Sequence, residues 1–196
     1  MKTRGTLRCE SHEEHSSMSN PRALPPPSGP VCWISEDLLE GAIAVSQSSP
    51  RRRVIQPFHK DEQATLHRMF NAVQPDSYIR PHRHADPPKA ESWVVLRGAL
   101  AFFTFDAGGR VEECLEIRAG GPVFGVDLEP GVYHTFIALE PDSVVFEVKS
   151  GPYSPASDKA FPDWAPAEGS DKAGAYMAWL KAVFSQRSAA LPTKDD

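Results

Sequence analysis

The stretch Pro81-His82-Arg83-His84-Ala85-Asp86-Pro87-Pro88-Lys89-Ala90-Glu91-Ser92-Trp93-Val94-Val95-Leu96-Arg97-Gly98 decides how this chain is read. It opens with two histidines at positions i and i+2 and ends in an apolar run closed by a glycine. On an extended strand the i, i+2 spacing puts both imidazoles on one face, several ångströms apart. Asp86-Pro87-Pro88 is turn chemistry, so an antiparallel return beginning at Glu91 would set a carboxylate beside the two rings. Further along, Pro130-Gly131-Val132-Tyr133-His134 supplies a second turn and a third imidazole at the start of another strand. Alone, His-x-His more readily reads as a pair of surface strand residues, and Glu91 as an ordinary turn acid. It is the combination with Gly98 and the Pro-Gly-x-x-His turn that points to a metal site.

Outward from this stretch the hydrophobic period is 2. Strands are expected over about 67–73, 76–84, 91–97, 99–105, 111–117, 122–128, 132–138 and 143–149. Their separators are turn sequences: Gln74-Pro75-Asp76, Asp106-Ala107-Gly108-Gly109, Ala119-Gly120-Gly121, Glu129-Pro130-Gly131 and Glu140-Pro141-Asp142. Many short strands with no helical pattern between them argue for a sandwich or barrel. Two helices flank them. Ser35 is an N-cap followed by Glu36 and Asp37, acids at the positive end of the helix dipole. Leu39, Ala42, Ile43 and Ser46 then give helical spacing over 36–47, and Tyr176, Trp179, Leu180, Val183 and Phe184 do the same over 170–186. The expected organisation is a disordered tail (1–30), one barrel domain with its helix and a wrapping loop (31–168), a C-terminal helix (169–187) and a polar tail (188–196). The first thirty residues carry too few large apolar side chains to offset chain entropy.

Composition agrees with this class. Of 196 residues 19 are proline, near twice the usual share of about 5%, which disfavours a helix bundle. The longest unbroken apolar run, Ala175–Leu180, is six residues and Ala99–Phe103 is five, far short of the ~20 that span a bilayer. No membrane or nucleic-acid partner is expected: 21 Lys and Arg against 26 Asp and Glu leave a formal charge of −5, and Arg51-Arg52-Arg53 reads as a solvated turn. Cys9, Cys32 and Cys114 form no close pair, which suits free thiols and a cytoplasmic location. His12-Glu-Glu-His15 lacks the spacing of a zinc helix.

Imidazoles plus one carboxylate form the donor set of an iron, manganese, nickel, copper or zinc centre. The spacing His82-x-His84-x6-Glu91-x6-Gly98 resembles the first cupin motif, with two extra residues before the Glu. Gly121 through Pro130-Gly131-x2-His134 resembles the second, with Pro130 adjacent to Gly131 and Ala138 where that motif usually has Asn. Within that superfamily, Tyr78-Ile79-Arg80-Pro81-His82-Arg83-His84 is similar to the WbuC-like group of cupin fold metalloproteins, encoded in some bacteria near O-antigen genes. Phe146-Glu147-Val148-Lys149-Ser150-Gly151-Pro152-Tyr153, Asp158-Lys159 and Trp164-Ala165-Pro166-Ala167-Glu168 extend the similarity over about residues 33–185. It implies a mostly β, jelly-roll cupin barrel that binds one divalent metal through His82, His84, Glu91 and His134, and it implies no defined reaction.

Strand parity adds expectations about the pocket. Tyr78 and Arg80 share the face of His82 and His84 if the strand is regular, where they would contact a ligand or move a proton. Lys149, Tyr153 and Lys159 are placed over the mouth as polar contacts, and Val132, Phe136 and Ala138 make an apolar wall beside His134. The expected partner is a small polar molecule, with a sugar or sugar nucleotide the leading class. The competing readings are a non-catalytic binding or sensing protein with a structural metal and a non-haem iron dioxygenase. A homodimer is a further expectation, unless the helix at 36–47 covers a sheet edge.

Overall fold

The computed structural model describes residues 21–190. In chain order the elements are α1 (Glu36–Ser48), β1 (Arg53–Pro57), β2 (Leu66–Val73), β3 (Glu91–Arg97), β4 (Ala99–Phe105), β5 (Val111–Arg118), β6 (Gly125–Leu128), β7 (Tyr133–Ala138), β8 (Ser143–Ser150) and α2 (Ala173–Ala190). The strands divide between a five-stranded sheet, β1-β2-β8-β3-β6, and a three-stranded sheet, β5-β4-β7, rather than forming one closed barrel. Every paired strand runs antiparallel. Because β8 lies between β2 and β3 while β4 pairs with β7, the order is that of a jelly roll. The chain is a mostly β jelly roll of the cupin type.

Side-chain alternation explains the layers. On β8, Val145 joins Val73, Trp93, Leu100, Phe102, Ile117 and Phe136 in the core between the sheets. Its neighbour Val144 faces the other way, against Leu39, Ala42 and Ile43 of α1 together with Val54, Phe70 and Ala72. On the second sheet, Ala101, Phe103, Phe105 and Ile137 face Leu180 of α2. Each sheet thus has a helix over its outer face, so α1 covers a face rather than an edge. This also explains Ala99–Phe103: β4 is buried on both sides along its whole length, and such a strand reads as a continuous apolar run.

Gly98 turns the chain from one sheet to the other. The register shifts between Val95 and Arg97, and Gly98 then takes φ +75°, where an added Cβ would lie 2.3 Å from Ser143 Oγ and 3.0 Å from Ser143 Cα. A side chain here meets both left-handed strain and a close backbone. Gly98→Ala is therefore expected to cost about 2 kcal/mol or more, read as a lower midpoint in urea unfolding; an unchanged midpoint would contradict this explanation of the corner.

Three expectations need correction. Residues 76–84 form no regular strand: only His82 and Arg83 make isolated bridges, to His134 and Ala160. Pro81 removes a backbone donor there, and the parity argument for Tyr78 and Arg80 lapses with the strand. Arg53 is not part of a solvated turn but opens β1, a strand the hydrophobic pattern did not reveal. The strand expected at 122–128 is regular only over Gly125–Leu128. Residues 1–20 and 191–196, with Cys9 and His12-Glu-Glu-His15, lie outside the described residues. Within 21–30, Leu24 N donates to Ile55 O at 2.8 Å and Gln56 Nε2 to Pro25 O at 2.9 Å, so this part runs beside β1.

Candidate metal centre

The structure brings His82, His84, Glu91 and His134 together. His82 N donates to His134 O at 3.1 Å and His134 N to His82 O at 2.9 Å, so residues 82–84 lie along β7 and extend the smaller sheet. Glu91 comes from the opposite sheet, at the start of β3, with Leu128 and Lys149 as its cross-strand neighbours. The cluster therefore bridges the two sheets at one end of the sandwich. One donor atom from each of the four residues lies within 4.8 Å of the others, and no residue is more than 4% exposed.

The hydrogen bonds fix which ring nitrogens face one another. Nδ1 of His82 donates to Arg80 O and Nδ1 of His134 to Val132 O, each at 2.9 Å, and Nδ1 of His84 donates to Asp158 O. A carbonyl can only accept, so each Nδ1 carries the proton and each neutral ring presents its Nε2 lone pair. Burial favours the neutral form: it holds His82 far below the ordinary imidazole value and pushes His84 down to about 4 despite the pull of Glu91. Glu91 is the ionised member of the cluster: burial raises its carboxyl, yet it lies below the ordinary value, with the Lys149 ammonium among the groups that lower it.

Four lone-pair groups thus converge with nothing between them to donate. Glu91 Oε1 stands 2.7 Å from His134 Nε2, and Oε2 stands 3.6 Å from His84 Nε2. The 2.7 Å approach is not aligned as a hydrogen bond, and Nε2 of His84 and His134 and Oε1 of Glu91 are buried without partners. Unsatisfied buried acceptors cost roughly 1–3 kcal/mol each. A divalent cation satisfies all four at once: bonds of about 2.0–2.2 Å set donors on opposite sides of one ion at ~4 Å, near the span observed. The residues fit the metal that the sequence motif implies. Each ligand ring is also held through its other nitrogen, the arrangement that orients metal-binding histidines.

Behind the cluster the inner face of the five-stranded sheet is polar where a core would be apolar. Lys149 Nζ lies 3.4 Å from Glu147 Oε1 and donates to Asp158 Oδ2 at 3.3 Å; Lys89 Nζ donates to Asp158 Oδ1 at 2.9 Å and to Pro152 O at 2.6 Å. Burial would lower the Lys149 pKa, but Glu147 and Asp158 more than offset it and hold the ammonium charged. Asn71 Nδ2 donates to Glu147 Oε2 at 2.7 Å. A cavity of ≈ 90 Å³ opens beside the cluster, lined by His82, Glu91, Trp93, Phe136, Glu147 and Lys159 among others, and reaches Arg51 and Arg53. Those two arginines pair with Glu168 at 2.8 and 2.6 Å.

The expected ligand contacts fall elsewhere. Tyr78 donates its hydroxyl to Pro166 O at 2.9 Å, and burial pushes its pKa up to about 12. Arg80 donates to Ala165 O and Pro162 O and lies over the Phe161 ring. Both are tied to the 160–168 loop, and neither they, Lys149 nor Tyr153 lines the cavity. Tyr153 is fixed through its backbone N to Glu62 O at 2.8 Å. Sequence reasoning missed Asp158, Glu147 and Lys89; the alternation Val145-x-Glu147-x-Lys149 on one strand face was the available signal. Cys32 and Cys114 are free thiols, and burial pushes Cys114 up to about 11.

A family model described as a domain of unknown function, DUF6016, matches residues 34–117, a span that includes His82, His84 and Glu91 and stops before His134. No curated protein matches the chain. Among solved structures it is similar to KdgF from Halomonas sp. (18% identity, 55% of this chain and 84% of that one, TM-score 0.43). It is also similar to the capsular polysaccharide assembling protein CapF from Staphylococcus aureus (20% identity, 58% of this chain and 30% of that one, TM-score 0.47). A third is a Klebsiella pneumoniae protein with a double-stranded β-helix domain (13% identity, 69% of this chain and 99% of that one, TM-score 0.48). No described helix is long and apolar enough to cross a membrane. The fold assignment rests on the chain's own strand order, and the centre on its own four side chains.

Proposed function

We propose that this chain binds one divalent transition-metal ion through His82, His84, Glu91 and His134 and uses it to hold a small oxygen-rich molecule. The observation that carries this reading is the convergence of three Nε2 lone pairs and a carboxylate, with every Nδ1–H already spent on a backbone carbonyl. The donor set is free of thiolate, unlike most closed structural zinc sites, and four protein donors leave positions for a ligand in a six-coordinate shell. Bound there, the metal supplies Lewis-acid polarisation of a ligand oxygen. The chain's own contribution is to orient the rings, to exclude water through Trp93 and Phe136, and to confine the ligand. The ≈ 90 Å³ cavity is small beside the roughly 300–1,000 Å³ of sites for drug-sized ligands, which favours a compact molecule over a nucleotide-linked sugar. The WbuC-like motifs support grouping the chain with those metalloproteins.

Metal removal tests the reading. Ions at 1,000 times their dissociation constant stabilise by about 4 kcal/mol, and at this size each kcal/mol moves Tm by roughly 2–4 °C. Chelator treatment is therefore expected to lower Tm by about 10 °C, with recovery on adding back the metal found in the native protein. Identical melting with and without chelator, and no metal in the purified protein, would reject it.

A further inference from the structure

Resting on the metal reading above, we propose that Lys159 is the anion-recognising group of the cavity, so that the molecule taken at the metal is a small hydroxy- or oxo-carboxylate. The support comes from what the cavity leaves unpaired. Its carboxylates are already engaged, Glu147 by Asn71 and Lys149 and Glu91 in the metal cluster. Its other lysine neighbour, Lys149, is held by Glu147 and Asp158. Lys159 lines the same cavity as His82, Glu91 and Trp93, remains open to solvent, and has no hydrogen-bond or ion-pair partner among the described residues. Trp93, only 3% exposed, has its Nε1–H unpartnered as well.

Apart from the four metal donors, the polar side chains at this wall without a hydrogen-bond or ion-pair partner among the described residues are donors: the Lys159 ammonium, the Arg22 guanidinium and the Trp93 indole N–H. Charge points the same way. Three neutral imidazoles and one carboxylate leave a divalent ion with a net charge of about +1, and Lys159 adds another positive charge at the solvent-facing side of the cavity. Two positive charges facing one cavity draw an anion to it. A carboxylate whose α-oxygen binds the metal can turn its outer oxygens to the ammonium and the indole, and a three-carbon acid matches the compact cavity. A neutral diol offers the metal similar oxygens but gives Lys159 no charge.

The test uses full-length protein loaded with Co²⁺, whose visible spectrum reports on ligands at the ion. Titration with lactate is expected to shift the spectrum saturably, and propane-1,2-diol, its neutral counterpart, should bind at least tenfold more weakly. Inorganic phosphate, an anion without the α-hydroxyl, should also bind more weakly than lactate. Lys159→Met should weaken lactate at least tenfold with Co²⁺ content and Tm unchanged, and Lys159→Arg should recover part of the loss. Equal binding of lactate and diol, equal lactate binding by wild type and Lys159→Met, or stronger binding of phosphate would overturn the proposal. Wild-type protein that takes up Co²⁺ yet binds neither organic probe overturns the proposal alone. Protein that takes up no Co²⁺ at the cluster overturns the metal reading and this inference with it.

Discussion

His134→Ala is expected to reduce bound metal from one ion per chain to less than about a tenth of that, whereas His67→Ala leaves it unchanged. Groups that merely support a metal ligand are worth roughly 10–100-fold in affinity, and His134 supplies the donor itself. It also stands closest to the carboxylate, 2.7 Å from Glu91 Oε1, so its loss opens the wall opposite β3. His82→Ala should match it. His67 is the fitting control because it too is a buried histidine, 2% exposed. Its Nε2, however, lies 3.3 Å from Glu62 O and its ring stacks on His59 at 4.0 Å, outside the cluster. Elemental analysis of the dialysed variants reads the result. Equal losses in His67→Ala and His134→Ala would mean that the histidines had been wrongly assigned.

Asp158→Asn is expected to produce the largest loss of stability. The Asp158 carboxylate, 3% exposed, receives both Lys89 and Lys149, themselves 3% and 7% exposed. Removing one partner of a buried ion pair costs about 3–5 kcal/mol, because the remaining charge is left uncompensated. The pH dependence follows from the same contacts. Burial would raise the Asp158 pKa, but Lys149 and Lys89 outweigh it and hold it below the ordinary 3.8. A group depressed in the folded state contributes stability that is complete above its unfolded value and lost as pH falls through its folded one. Wild type should therefore lose this contribution below about pH 4, and Asp158→Asn should lack that part of the acid dependence. Urea unfolding at about pH 7 and about pH 3.5 measures both. A variant as stable as wild type at neutral pH would contradict the claim.

The parts of the molecule legible in the sequence were those set by local chemistry. The Ser35 cap with its acidic first turn begins α1 at Glu36, Ser35 Oγ accepting from Leu38 N at 3.4 Å. Period-2 runs mark β2, β3, β4, β5, β7 and β8 because one or both faces of each pack against a neighbour. The four clustered residues were readable from spacing, since turns at Asp86–Pro88 and Pro130–Gly131 return the chain to the same end of the sandwich. What escaped depended on distant partners. Arg53 looks like a solvated charge until Glu168, Ser77 Oγ and Tyr78 O close around it at 2.6, 3.0 and 2.9 Å. Tyr78 and Arg80 left their expected face because residues 76–81 join no ladder, and backbone carbonyls of the 160–168 loop took their donors instead. Asp158 could not be picked out as the partner of Lys89 and Lys149 before that loop was folded against the sheet.

The chemistry proposed for this chain turns on one ion at one place. Crystals of natively purified protein, measured on both sides of the absorption edge of the metal found by elemental analysis, test this directly. A single anomalous peak per chain is expected, within about 2.0–2.3 Å of Nε2 of His82, His84 and His134 and of a Glu91 oxygen. An anomalous peak elsewhere, or four side chains converging on a water that shows no edge, would contradict it.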